Sequence, residues 1–161
     1  MRVILILLLL CSPAFAAEWT VYSNPRFGAS IDVPPGFVND LPEPENGDGL
    51  TFHSADRQAE LLVWGGNLTD GDFKLDSAIR LNRELDDDWQ LSYRKESGND
   101  WSVYTGSRSD RIMYARANSS CHGTQAVHFR IEYPEAQKKE YDAVVERLSK
   151  SLKAGPASDC P

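Results

Sequence analysis

The run Ala59-Glu60-Leu61-Leu62-Val63-Trp64-Gly65 decides the fold class. Successive side chains of a strand point to opposite faces, so Leu61, Leu62, Val63 and Trp64 put apolar groups on both. A strand that is apolar on both faces is covered on both. Just upstream, Leu50 to Ser54 reads as its hairpin partner, turning at Ala55-Asp56-Arg57-Gln58. Further back, Glu18 to Ser23 and Arg26 to Val33 read as two strands about an Asn24-Pro25 turn. Phe27, Ala29, Ile31 and Val33 share one face of the second, and Pro34-Pro35-Gly36 stops it. Asp40 to Gly49, rich in acids, prolines and glycines, is a surface loop between strands.

Downstream the period changes. Leu75, Ala78, Ile79, Leu81 and Leu85 fall on one helical arc, which predicts a helix over Asp72 to Asp87 with that arc toward the core. Asp72 is its expected N-cap, and Asn82 lies inside the apolar arc. Alternation returns at Trp89, Leu91 and Tyr93, and again at Trp101, Val103 and Thr105. It continues over Arg111 to Ala117 and Ala126 to Tyr133. Short turns at Ser97-Gly98-Asn99-Asp100 and Ser107-Arg108-Ser109-Asp110 make these strands an antiparallel meander. A last helix is predicted from about Glu135 to Lys153, with Tyr141, Val144, Val145, Leu148 and Leu152 as its apolar stripe and Gly155-Pro156 as its stop. The order is four strands, a helix, four strands, a helix. It suits an α+β fold, an α/β/α sandwich on a mainly antiparallel central sheet.

The N-terminal end and the cysteines place the chain in a compartment. Arg2, the aliphatic run Val3 to Leu10, Pro13 and the small-residue site Ala14-Phe15-Ala16 read as a signal peptide over 1–16. The run is too short for a membrane span. Cys11 raises a lipoprotein reading, but Leu10 before it is not the small residue that such a site wants. No stable membrane anchor is expected. Removing 16 of 161 residues leaves a single domain, 17–161, carrying Cys121 and Cys160. Two cysteines in an exported chain predict one disulfide. Closing a loop of about 40 residues is worth ~3–4 kcal/mol in the chain-entropy account. Cys121-His122 has no second ligand pair at zinc spacing, so no metal or cofactor is expected. The full chain has a net charge of −7 and is 25% charged. That balance argues against nucleic acid, since phosphate binding needs Lys and Arg in excess.

Several stretches resemble the PsbP-like domains. Trp19-Thr20-Val21-Tyr22-Ser23-Asn24 followed by Arg26-Phe27-Gly28-Ala29-Ser30-Ile31-Asp32-Val33-Pro34 is similar to their opening turn and strand. Asn46-Gly47-Asp48-Gly49, Phe52-x-Ser54-x-Asp56, Tyr133-Pro134, Tyr141-Asp142 and Ser151-Leu152 also resemble small secreted bacterial proteins of that type. The resemblance implies an α/β/α sandwich and an accessory or binding role. These are packing and turn signals, specific for fold and weak for function.

Motifs that could carry chemistry are few. No nucleophile elbow, zincin motif or phosphate loop is present. His53-Ser54-x-Asp56 holds a base, a hydroxyl and a carboxylate, but neighbours on a strand diverge. Asp86-Asp87-Asp88 lacks the spaced ligands of a calcium loop. Asn67-Leu68-Thr69 and Asn118-Ser119-Ser120 fit the glycosylation pattern, which matters only in a eukaryotic secretory pathway. If the last two strands pair about a Cys121-His122-Gly123 loop, Arg116 falls beside His128 and Tyr114 beside Arg130, with Tyr104 joining from the preceding strand. Tyr104, Tyr114, Arg116, His128 and Arg130 would then form one anion-binding or partner-binding patch. The alternative is a solvated face with its charges satisfied by Glu132 or other acids. The expected function is a secreted or periplasmic, non-catalytic binding module for a protein or envelope component. The alternative is a secreted enzyme, such as a hydrolase, on the same scaffold.

Overall fold

The computed structural model describes residues 18–42 and 44–160; the signal-peptide reading of 1–16 lies outside them. Strands β1 (Thr20–Asn24) and β2 (Ala29–Val33) lead to the hairpin β3 (Gly49–His53) and β4 (Glu60–Asn67). Helix α1 (Phe73–Asp86) precedes the meander β5 (Gln90–Ser97), β6 (Trp101–Arg108), β7 (Arg111–Ser120) and β8 (Gln125–Pro134). Helix α2 (Lys138–Ser151) and a short β9 (Lys153–Ala154) close the chain. Lys153, expected at the end of the last helix, instead opens β9, which pairs with β2. The main sheet has the order β3-β4-β8-β7-β6-β5, and β1-β2-β9 form a smaller one. Every strand pairing is antiparallel.

The doubly apolar strand behaves as its composition requires. β4 lies between β3 and β8, with Leu61 and Val63 fully buried on the face toward α2. They pack with Ile31, Val33, Phe52, Phe129, Ile131 and Leu148. Burying each such side chain contributes about 1.5–3 kcal/mol. Helix α2 presents its predicted stripe, with Tyr141 stacked on Tyr133 at 4.5 Å between centroids. The small sheet covers the rest of this face, and Gly65 makes room for it: a Cβ there would lie 2.1 Å from Cβ of Phe27. The opening turn is held by Asn24, which accepts from Phe27 N–H (3.0 Å) and donates to Gly47 O (2.9 Å).

Helix α1 covers the opposite face, rotated from the expected setting. Asp72 caps it by accepting from the N–H groups of Lys74 and Leu75. Phe73, Asp76, Ser77 and Leu81 are buried, whereas Leu75 and Leu85 are 41% and 44% exposed and Asn82 is exposed. The reason lies in the sheet. Its α1 face carries Ser102, Tyr104, His128, Arg130 and Glu132, and buried polar groups need polar partners. From the polar side of α1, Ser77 meets Ser102 and Glu84 binds Arg130, while Phe73 and Leu81 anchor the helix.

Candidate interaction face

The five residues expected in one patch lie on two faces. Ser120 pairs with Gln125, so β7 and β8 are joined by four residues, Cys121 to Thr124, not three. Thr124 belongs to the turn: its N–H and Oγ1 both donate to Cys121 O. Cys121 and His122 adopt positive φ. A one-residue change of register moves every side chain to the other face. Arg116 therefore pairs with Phe129 and Tyr114 with Ile131, on the α2 side. Tyr104, His128 and Arg130 lie under α1, beside Ala115 and Ala117. The single-patch expectation fails at this turn.

The α1 side is a closed polar layer. The His128 ring stacks on Trp64 at 4.8 Å, and the Arg80 guanidinium covers Trp64 from the helix at 5.5 Å. Arg80 also bonds Asp76 at 2.7 Å, and the Ser77 and Ser102 hydroxyls are 3.1 Å apart. Burial, then the charge of Arg80, pushes the His128 imidazole well below its ordinary pKa, so it is neutral. Among the described residues its Nε2 has no hydrogen-bond partner. Burial, then Glu84, pushes the Tyr104 phenol well up. Arg130 is bound by Glu84 at 2.8 and 3.2 Å and by Glu132 at 3.1 Å. Burial works against its charge, but these two carboxylates hold its pKa above the ordinary guanidinium range. Burial likewise opposes the charge on Glu132, and Arg111 and Arg130 overcome it, keeping that carboxyl below the usual range. The layer encloses a cavity of about 10 Å³, the size of one water molecule. It admits no substrate, and its charges are paired.

The His53-Ser54-Asp56 segment closes a turn. Ser54 Oγ donates to Asp56 at 2.6 Å and accepts from Ala59 N–H, while His53 Nδ1 faces Asp40 at 3.1 Å. The sulfurs of Cys121 and Cys160 are bonded at 2.05 Å, with Cα atoms 5.4 Å apart. The bridge ties the tail to the β7–β8 turn, where Arg26 binds Asp159 at 2.6 Å and Gln125 Nε2 donates to Asp159 O.

The other face is covered by α2 as far as β7, where Tyr114 and Arg116 bond Ser149 and Asn118 donates to Leu152 O, and it is exposed at β5. Beyond α2, β5, β6 and β7 present three cross-strand rows: Tyr93-Thr105-Tyr114, Lys95-Val103-Arg116 and Ser97-Trp101-Asn118. The Trp101 ring lies between two cations, with Arg116 Cζ at 5.1 Å and Lys95 Nζ at 6.0 Å from its centroid. Arg116 donates to Asn118 Oδ1 and Ser149 Oγ, both neutral. Among the described residues neither cation has a carboxylate within ion-pair distance. In a separate groove of about 560 Å³ between β2 and α2, Arg147 and Lys150 are bound by Asp32 and Glu146, and Lys153 at its end has no ion pair among the described residues.

No family model matches the sequence, and no curated protein matches it. Solved structures match its shape. Cyanobacterial PsbP (CyanoP) from Synechocystis sp. PCC 6803 gives a TM-score of 0.66 at 14% identity, covering 92% of this chain and 99% of that one. This chain has the PsbP-like fold. Mog1p of Saccharomyces cerevisiae, a Ran-binding protein, gives 0.62 at 9% identity over 90% and 99% of the two chains. A Mog1 point mutant gives 0.60 at 11% identity over 85% and 96%.

Within the PsbP-like sheet, Tyr93, Lys95 and Trp101 complete the half-patch that Tyr114 and Arg116 begin. Sequence periodicity alone does not single them out. The turn Ser97-Gly98-Asn99-Asp100 carries the usable signal, since closing it at Ser97–Trp101 places Lys95 across from Val103. Among the described residues, no helix of this PsbP-like chain is long and apolar enough to cross a membrane.

Proposed function

We propose that this protein is an exported, non-catalytic binding module whose open β5–β7 face recruits an acidic protein partner. The observation that carries the proposal is Trp101 held between two cations without carboxylate partners, in a chain of net charge −7. Aromatic and Arg side chains together are the usual anchors of protein interfaces. Arg binds carboxylates through a planar fork and also stacks on rings. The PsbP-like fold and the Ran-binding role of Mog1p support a binding function, and the signal-peptide pattern over 1–16 supports export.

The test is affinity capture from the envelope fraction with the wild type and with Lys95→Ala/Arg116→Ala. The expected result is an acidic protein retained by the wild type, released by moderate salt and lost from the variant. Both proteins should fold, with the variant's transition lower by only a few degrees: Lys95 is exposed, and the half-buried Arg116 gives up contacts with Trp101, Asn118 and Ser149 worth about 1–2 kcal/mol in all. Equal capture by the two proteins overturns the proposal.

A further inference from the structure

The outermost strand of the main sheet contributes almost nothing to the core. Every residue of β5 from Gln90 to Glu96 is exposed, including Leu91 at 36% and Tyr93 at 49%. One edge of β5 pairs with β6. Among the described residues, no other segment hydrogen-bonds along its outer edge. At the opposite end of the sheet, β3 is met by Val38, which exchanges two backbone hydrogen bonds of 2.9 Å with His53.

An open edge is a template for pairing, and proteins commonly guard one with lysines and bulges. The guards here act on only part of β5. The bulge lies between Leu91 and Tyr93, so regular pairing is preserved from Tyr93 to Ser97. Lys95 leans inward over Trp101 instead of outward past the edge. Arg94 is engaged by Glu96 of the same strand at 3.2 Å. Five residues of regular edge therefore adjoin the row that carries Lys95 and Arg116.

We infer that the partner binds by strand addition: an extended acidic segment pairs with the outer edge of β5 over Tyr93 to Ser97. Its backbone extends the sheet, alternate acidic side chains pair with Lys95 on the neighbouring strand, and Arg116, further in, adds to the positive potential of the same face. This rests on the reading of the open face given above and specifies how that face is used. The charge of the occupant follows from the two cations without carboxylate partners, and its extended form from the free edge.

The test uses eight-residue peptides alternating Glu or Asp with Val, Ile or Tyr, titrated against the full mature chain. Backbone amides are followed by NMR hydrogen exchange. The expected result is saturable binding with new protection confined to β5. Replacing the acids by Lys should abolish it, and Lys95→Ala/Arg116→Ala should weaken it. N-methylating alternate peptide nitrogens on the pairing edge keeps the side chains but removes the donors, and should weaken binding about tenfold or more. If the N-methylated peptides bind as well as the parents, strand addition is overturned while the charged face stands. Absence of any peptide binding at millimolar concentration also overturns strand addition, and the envelope capture then judges the face separately. Protection of β5 that rises with protein concentration alone would show a second copy as the occupant, which overturns the inference as well.

Discussion

The guanidinium of Arg116 lies 5.1 Å from the centroid of the Trp101 ring, across the β6–β7 pair and beside α2, where it also donates to Ser149. A cation over an indole face at a partly exposed site contributes about 0.5–1 kcal/mol. A double-mutant cycle with Arg116→Ala and Trp101→Leu should return a coupling energy of that size by urea denaturation. Coupling within error of zero would mean that the ring and the guanidinium are merely adjacent.

The Cys121–Cys160 bridge joins residues 39 apart in sequence. Cys160→Ser should therefore lower the unfolding free energy by about 3–4 kcal/mol. Dithiothreitol should lower the wild type similarly and leave the variant unchanged. Mass spectrometry of the unreduced protein should show the loss of two hydrogens relative to the dithiol.

His128 is buried against Trp64, Arg80 and Tyr104, and its pKa lies below the unfolded value. The unfolded chain thus binds a proton more readily once the pH falls below about 6.5. This contribution to stability is complete above that pH and is lost as the pH falls toward the folded pKa. The limiting slope is about 1.4 kcal/mol per pH unit. Urea titrations between pH 5 and 8 should show His128→Gln with a shallower pH dependence than the wild type. Identical slopes would mean that the folded protein accepts the proton freely.

Two adjacent glycines of β4 should respond differently to one added methyl. A Cβ at Gly65 meets Phe27, whereas at Gly66 none of the described residues comes within 4 Å. Gly65→Ala should cost about 1–3 kcal/mol through displacement of Phe27. Gly66→Ala should remain within about 0.5 kcal/mol of the wild type. Denaturant midpoints at constant m-value would check both.

Much of the architecture is legible from local pattern, and the candidate site is legible only in part. Leu61 to Trp64 announce a strand covered on both sides, and Tyr141 to Leu152 announce the helix that covers one of them. Tyr114 and Arg116 were in reach as site residues because alternation places them on one face of β7. Their true neighbours Lys95 and Trp101 depend on two hairpin registers, and a register is a relation between segments.

The order of the first eight strands and the two helices, and the pairing of the two cysteines within 17–161, follow from the chain alone, because side-chain periodicity and residue counts are properties of the sequence itself. Two features do not. Thr124 could open β8 or close the turn before it, and it is the turn conformation about Cys121 and His122 that sends Arg116 and Arg130 to opposite faces. Helix α1 has an apolar arc that its own sequence would bury, yet Leu75 and Leu85 face outward. The sheet face below it bears Ser102 and the charged Arg130, which Ser77 and Glu84 of the helix bond and neutralise, so the rotation of the helix is set by its partner's polarity.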